Sequence, residues 1–256
     1  MADRQYAKFF AGSVIKLVMF LAFCAAAGYV SKLFLPSPFD VLATTAAAIV
    51  ISWVFLTVIE GNKRSFFAKG FFAENVAPGG AWGFGVAFAG TLIGLAFKVR
   101  WINWDADIDF TEIFLTAVSS GLFSAIVIFG YFFHIIRQDF GSIPAVIISA
   151  LLYGALSAYE AKAGLITYDI IIPAAAYYTV IGTAAGILII HLGDMRSAAA
   201  FLFIYSLTSE FFEAFTSGGR SFGTDIAAPA MAVLCCLAMF IEMYEEKKKK
   251  KKEQEI

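Results

Sequence analysis

Two histidines, His134 and His191, are the only imidazoles in the chain, and each lies close in sequence to charged groups: Arg137 and Asp139 beside the first, Asp194 and Arg196 beside the second. Two imidazoles and a carboxylate brought from separate helices would make a metal site with one position open to water, and zinc is the ion such a donor set suits. No HxxxH or HExxH sets two ligands on one helical turn, so sequence spacing alone builds no metal centre, and the plainer use of these groups is headgroup-facing polarity. Glu160, Glu210 and Glu213 are carboxylates near the ends of apolar runs, with Glu210 the most interior; an ionisable side chain inside a span is a functional candidate by default. Asp105, Asp107 and Asp109 alternate in one loop as calcium ligands can. Phe110, however, stands where the calcium loop needs glycine, which leaves a solvated acidic loop. Cys24, Cys235 and Cys236 all fall inside apolar runs and form neither a disulfide framework nor a zinc ribbon.

The elements that must position these groups are membrane spans. Of 256 residues, 60% are hydrophobic and only 15% charged, with a mean hydropathy of +0.78, against about 25% charged in ordinary soluble domains. Spans need about 20 mainly apolar residues. Eight runs qualify, near 13–34, 41–59, 79–98, 111–135, 143–159, 168–191, 197–215 and 226–244. Helices are dictated because each backbone polar group must be satisfied within the bilayer. The expected fold is an all-α, polytopic membrane helical bundle of about eight transmembrane helices in one domain over residues 1–245, followed by a lysine-rich cytoplasmic tail, 246–256, disordered by composition. The first run lacks a small-residue cleavage site and reads as a retained span.

Basic residues set the orientation. With the N-terminus inside, Arg4, Lys8, Lys16, Lys63, Arg64, Lys69, Arg137, Arg196 and the run Lys247, Lys248, Lys249, Lys250, Lys251 and Lys252 face the cytoplasm, which is 14 of the 19. Both termini are then cytoplasmic, in a plasma or inner membrane. The lysine run adjoins a span, so its expected partners are the bilayer and anionic lipid headgroups, at about 1 kcal/mol per lysine, rather than nucleic acid. The segment from Glu60 to Gly80 reads as an interfacial connector ending in a Pro-Gly-Gly break. Trp101 and Trp104 read as outer interfacial anchors, and Asp169 as a helix-start group. Gly90 with Gly94, and Gly182 with Gly186, allow close helix approach, more naturally within the chain than between chains.

The stretch from Ser119 to Glu160 resembles part of a known family. Its turn Asp139-Phe140-Gly141-Ser142-Ile143-Pro144-Ala145 leads into Ile148-Ser149-Ala150-Leu151-Leu152-Tyr153-Gly154-Ala155-Leu156, preceded by the glycine-rich span and followed by a sixth span ending in Gly186-Ile187-Leu188. In pattern and topology, over residues 70 to 210, this is similar to the CPBP (CAAX protease and bacteriocin-processing, Rce1-type) intramembrane proteases. The resemblance implies catalysis by EExxxR, FxxxH and HxxxN/D motifs. Their positions here fall on Ser124, Ala125 and Phe129, on Tyr153 and Ser157, and on Tyr205 with Ser209 or Ile204 with Thr208. A hydroxyl without a partner is no base at neutral pH, and phenylalanine binds no oxyanion. The implied protein keeps the protease scaffold without its protease, as a scaffold, a substrate-holding factor or an immunity-type factor with a membrane protein partner. Two alternatives compete. One is a metalloprotease-like hydrolase with a rearranged site on His134, His191 and Glu210 or Asp194. The other is a small transporter or channel, which would show discontinuous helices in matching halves.

Overall fold

The computed structural model describes residues 2–36, 39–59, 75–97, 101–105, 107–162, 171–217 and 227–254. The fold is all-α, with about eight helices: α1 (Ala2–Phe34), α2 (Phe39–Ile59), α3 (Val76–Ala96), α4 (Phe110–Phe140), α5 (Ser142–Lys162), α6 (Ile171–Leu192), α7 (Met195–Phe215) and α8 (Ala227–Gln254). Six of them, α1 to α4, α6 and α7, are long and apolar enough to cross a membrane. Among the described residues α5 and α8 carry shorter apolar segments, Ser142–Ala155 and Pro229–Ile241. The chain is a polytopic, largely helical membrane protein.

Prolines and glycines place several helix boundaries. Pro78, Pro144, Pro173 and Pro229 are each the third residue of their helix, where a missing N–H costs nothing. Pro78-Gly79-Gly80 therefore starts α3 rather than breaking the chain. The rest of the expected connector, like Asp169, lies outside the described residues. Gly141 ends α4 at φ 90° and Gly193 ends α6 at φ 71°, the left-handed geometry that lets a helix stop and turn. Asp109 caps α4 by accepting from the N–H groups of Thr111, at 2.8 Å, and Glu112, at 3.2 Å. The third member of the acidic loop is thus used by the backbone.

The core forms around α4, α6 and α7. Every residue from Ser124 to Tyr131 is buried, so the middle of α4 is enclosed on all sides, with α2, α5 and α7 packed on it. This stretch is unusual in winding. Ala117–Phe123 and Ala125–Phe132 carry i→i+5 hydrogen bonds, as does the last turn of α2, Phe55–Ile59. The most extensive helix pairs are α5 with α6 and α3 with α7, and both are built on glycine. A Cβ on Gly79 or Gly83 would strike the carbonyl oxygens of Ser197 and Phe201 on α7; one on Gly182 or Gly186 would sit 3.1 Å from Ala150 or Val146 on α5. The Gly182/Gly186 seam is thus intramolecular. α1 leaves most of its apolar surface exposed and enters the core chiefly through Phe20 and Cys24.

A two-stranded antiparallel ribbon, β1 (Trp101–Ile102) with β2 (Thr216–Ser217), joins the α3–α4 connection to the end of α7. The N–H of Asn103 donates to the Phe215 carbonyl at 3.1 Å, and Trp104 meets Phe215 edge-on at 6.1 Å. At the start of α3, the Asn75 side-chain amide donates to the Leu192 carbonyl at 3.0 Å. One face of the bundle therefore holds the ribbon, and the other holds the Gly193 turn and the start of α3. The lysine run also departs from expectation: Lys247 to Lys252 continue α8 as helix through Gln254. Glu245 and Glu246 stand four residues before Lys249 and Lys250, the order that supports a helix, and lysines near a C-terminus complement its dipole.

Candidate functional site

The positions that the resemblance singles out lie at the centre of the bundle, and aromatic packing occupies it. Ser124, Ala125 and Phe129 are buried on α4, and Phe129 is wholly enclosed. Its ring meets that of Tyr153, from α5, edge-on at 6.0 Å. Tyr153 in turn meets Tyr178 of α6 at 5.7 Å, and Tyr178 meets Tyr177 at 5.6 Å. The Tyr177 and Tyr205 hydroxyls are hydrogen-bonded to each other between α6 and α7, and Tyr205 stacks on Phe201 at 6.1 Å. Six rings thus form one path across α4, α5, α6 and α7.

The winding of α4 alters the spacing assumed from sequence. With i→i+5 bonding, the residue one turn before Phe129 is Ser124 rather than Ala125. Neither offers a carboxylate. Among the described residues, the buried polar side chains of α4 and α7 are hydroxyls. Ser209 and Thr208 are buried on α7, and Ser120 donates to the Thr116 carbonyl at 2.7 Å and reaches Ser206 of α7 at 3.4 Å. Ile204 and Leu207 are partly buried. Ser157 lies on α5, outside the residues whose side chains are described. Phenols and aliphatic hydroxyls donate and accept hydrogen bonds, but supply neither a carboxylate base nor an imidazole ligand.

His134 and Asp194, among the charged candidates, are engaged within their own helices. His134 Nε2 hydrogen-bonds Gln138 at 3.0 Å, one turn along α4; Arg137 is exposed and Asp139 partly so. Asp194 caps α7, accepting from the Arg196 N–H at 3.0 Å, and pairs with the Arg196 guanidinium, whose Nε donates to Oδ2 at 2.6 Å. Its carboxylate is therefore committed to starting a helix. His191 lies half-buried at the end of α6, and Glu210 and Glu213 half-buried on α7. Among the described residues no three His, Cys, Asp or Glu side chains gather in a way that could hold a metal ion.

Sequence reasoning missed Tyr177, Tyr178 and Phe201. The signal was present in Tyr177-Tyr178, two adjacent large aromatics in a span otherwise rich in alanine and glycine, which only a facing cavity can accommodate. The Asp109 cap was legible as well, since Asp109-Phe110-Thr111-Glu112 has the spacing of a capping box.

Fold and site together define a polytopic helical membrane protein whose central helices meet through tyrosine and phenylalanine. No protein-family model matches the chain, and no curated protein matches it significantly.

Proposed function

We propose that this chain is a non-catalytic relative of the CPBP intramembrane proteases, which holds a membrane-embedded partner or peptide, as a scaffold, substrate-holding or immunity-type factor, without cutting it. The observation that carries the reading is the Phe129–Tyr153 edge contact. Phe129 stands where the resemblance calls for an arginine and packs on Tyr153, where it calls for a phenylalanine, while the two glutamate positions hold Ser124 and Ala125. The commitment of Asp194 to Arg196 and to the start of α7 supports it against a rearranged hydrolase.

The same proposal puts the protein in a plasma or inner membrane with both termini cytoplasmic. It rests on the bias of 14 of 19 basic residues to one side, and an even number of crossings, six or eight, keeps the termini together. Lys247 to Lys252 would then meet anionic headgroups. Glu242, Glu245, Glu246 and Glu253 lie close by and lower the attraction below the sum of about 1 kcal/mol per lysine.

The test is direct. The purified protein in liposomes is offered a prenylated peptide and a transmembrane peptide, and is expected to retain them uncut. Cleavage that disappears in Glu210→Gln would overturn the reading in favour of a rearranged hydrolase. Zinc at one ion per chain, lost on replacing His134 or His191, would point the same way.

A further inference from the structure

The middle of α4 combines three features that belong together. The first is its winding: i→i+5 bonding on both sides of Ser124, with every residue from Ser124 to Tyr131 buried. Such winding is rare, and where it occurs it tends to mark functional sites. The last turn of α2 has the same winding, and the two stretches touch, since Phe55 meets Tyr131 edge-on at 5.2 Å.

The second feature is two buried hydroxyls on the helices that pack on α4. Ser52, one turn before Phe55 on α2, and Ser149, one turn before Tyr153 on α5, are buried, and their Oγ atoms have no hydrogen-bond partner among the described residues. Several threonine hydroxyls among the described residues behave otherwise. Those of Thr45, Thr91, Thr179 and Thr183 each donate to the carbonyl four residues back. A buried hydroxyl left unbonded raises the free energy of the state that contains it.

The third feature is that the two ends of α4 are held differently. Its first turn is capped by Asp109 and follows the ribbon that ties this connection to α7. Its last turns bury Phe133, Ile135 and Ile136 and then run into Gly141, at φ 90° and with nothing within 4 Å of where a Cβ would stand.

We propose that α4 is a two-state switch. Its middle rewinds from i→i+5 to i→i+4 bonding, and Ser52 and Ser149 gain hydrogen-bond partners in the rewound state. The end bearing His134, Arg137 and Asp139 turns about the helix axis by roughly one residue step, about 100°. Gly141 absorbs the turn while the capped end stays fixed. The residues displayed at one membrane face thereby depend on packing at mid-depth, where α2, α4 and α5 meet.

The experiment uses the full chain in lipid nanodiscs, with Cys24, Cys235 and Cys236 replaced by alanine and a trifluoromethyl tag on Arg137→Cys. Fluorine NMR with saturation transfer, which detects minor states, is expected to find two exchanging resonances. In Ser52→Ala and in Ser149→Ala the present state loses its unbonded hydroxyl and the other state loses a bond. Each variant should therefore depopulate the second resonance by about five- to thirty-fold. The same tag on Thr111→Cys, at the capped end, should give one resonance. A single resonance at Arg137→Cys, populations unchanged by both alanine variants, or equal exchange at the two ends would each overturn the proposal. Serine-to-alanine changes remove one oxygen and add no bulk, so a folded protein remains available for measurement.

Discussion

Ser124, Ala125, Phe129, Tyr153, Tyr205 and Ser209 are the positions that the proposed reading singles out, and side-chain type decides what they do. Rings of 150–250 Å² each favour burial, and phenols can be buried when they find a partner. Tyr177 and Tyr205 find one another. Tyr205→Phe is expected to cost about 0.6 to 1.7 kcal/mol, the range for hydrogen bonds between membrane helices. A double cycle with Tyr177→Phe, followed by unfolding in mixed micelles, should return a coupling of that size; additive single effects would mean that the pair contributes packing alone. At the start of α7, Asp194→Ala removes a cap and an ion pair together, and a loss of about 0.5–2 kcal/mol is expected. Asp194→Asn, which can still accept from the Arg196 N–H, should recover most of it. The departures at Ser124 and Phe129 were legible from residue type alone. The Tyr177–Tyr205 partnership was not, because it joins groups 28 residues apart on helices whose relative rotation no local pattern fixes.

At the scale of the element, the bundle depends on how closely particular helices approach. Gly83 faces the Phe201 carbonyl, whereas Gly85, two residues on, has open space where a Cβ would go. Gly83→Ala should separate α3 from α7 and lower the melting temperature measured by fluorescence-detected size exclusion. Gly85→Ala should be neutral or stabilising by up to about 1 kcal/mol; equal losses in both would show that helix propensity rather than the α3–α7 seam was at stake. Span positions followed from run length and hydropathy, and most boundaries from proline and glycine. Two element-level features were not accessible in that way. The unusual winding of α4 reflects tertiary packing around Ser124, which no periodicity in an all-apolar run reveals. The helical tail was misread because composition alone suggested disorder, while the spacing of Glu245 and Glu246 before Lys249 and Lys250 argued for a helix.

On the whole-molecule scale, the hydrogen bonds that link connections fix which helix ends share a face, independently of any rule about charge. The ribbon gathers the end of α3, the start of α4 and the end of α7; the Asn75–Leu192 bond gathers the start of α3 and the end of α6. Cysteines introduced at Asp105 and at Arg137, at opposite ends of α4, should react with a membrane-impermeant maleimide from opposite sides of sealed vesicles. Labelling of both from one side would require α4 to re-enter rather than cross. The arrangement of eight helices was legible because hydropathy and span length leave few alternatives. Their packing order was not: glycine seams announce close contact without saying with which helix.

The β1–β2 ribbon carries one more consequence. It staples helices together at a single face, while the opposite face closes its turns with Gly141 and Gly193, two residues that resist bending least. The ribbon links Trp101–Ile102 to Thr216–Ser217 across all of α4 to α7, so α7 parts from the α3–α4 connection only by breaking those backbone pairs.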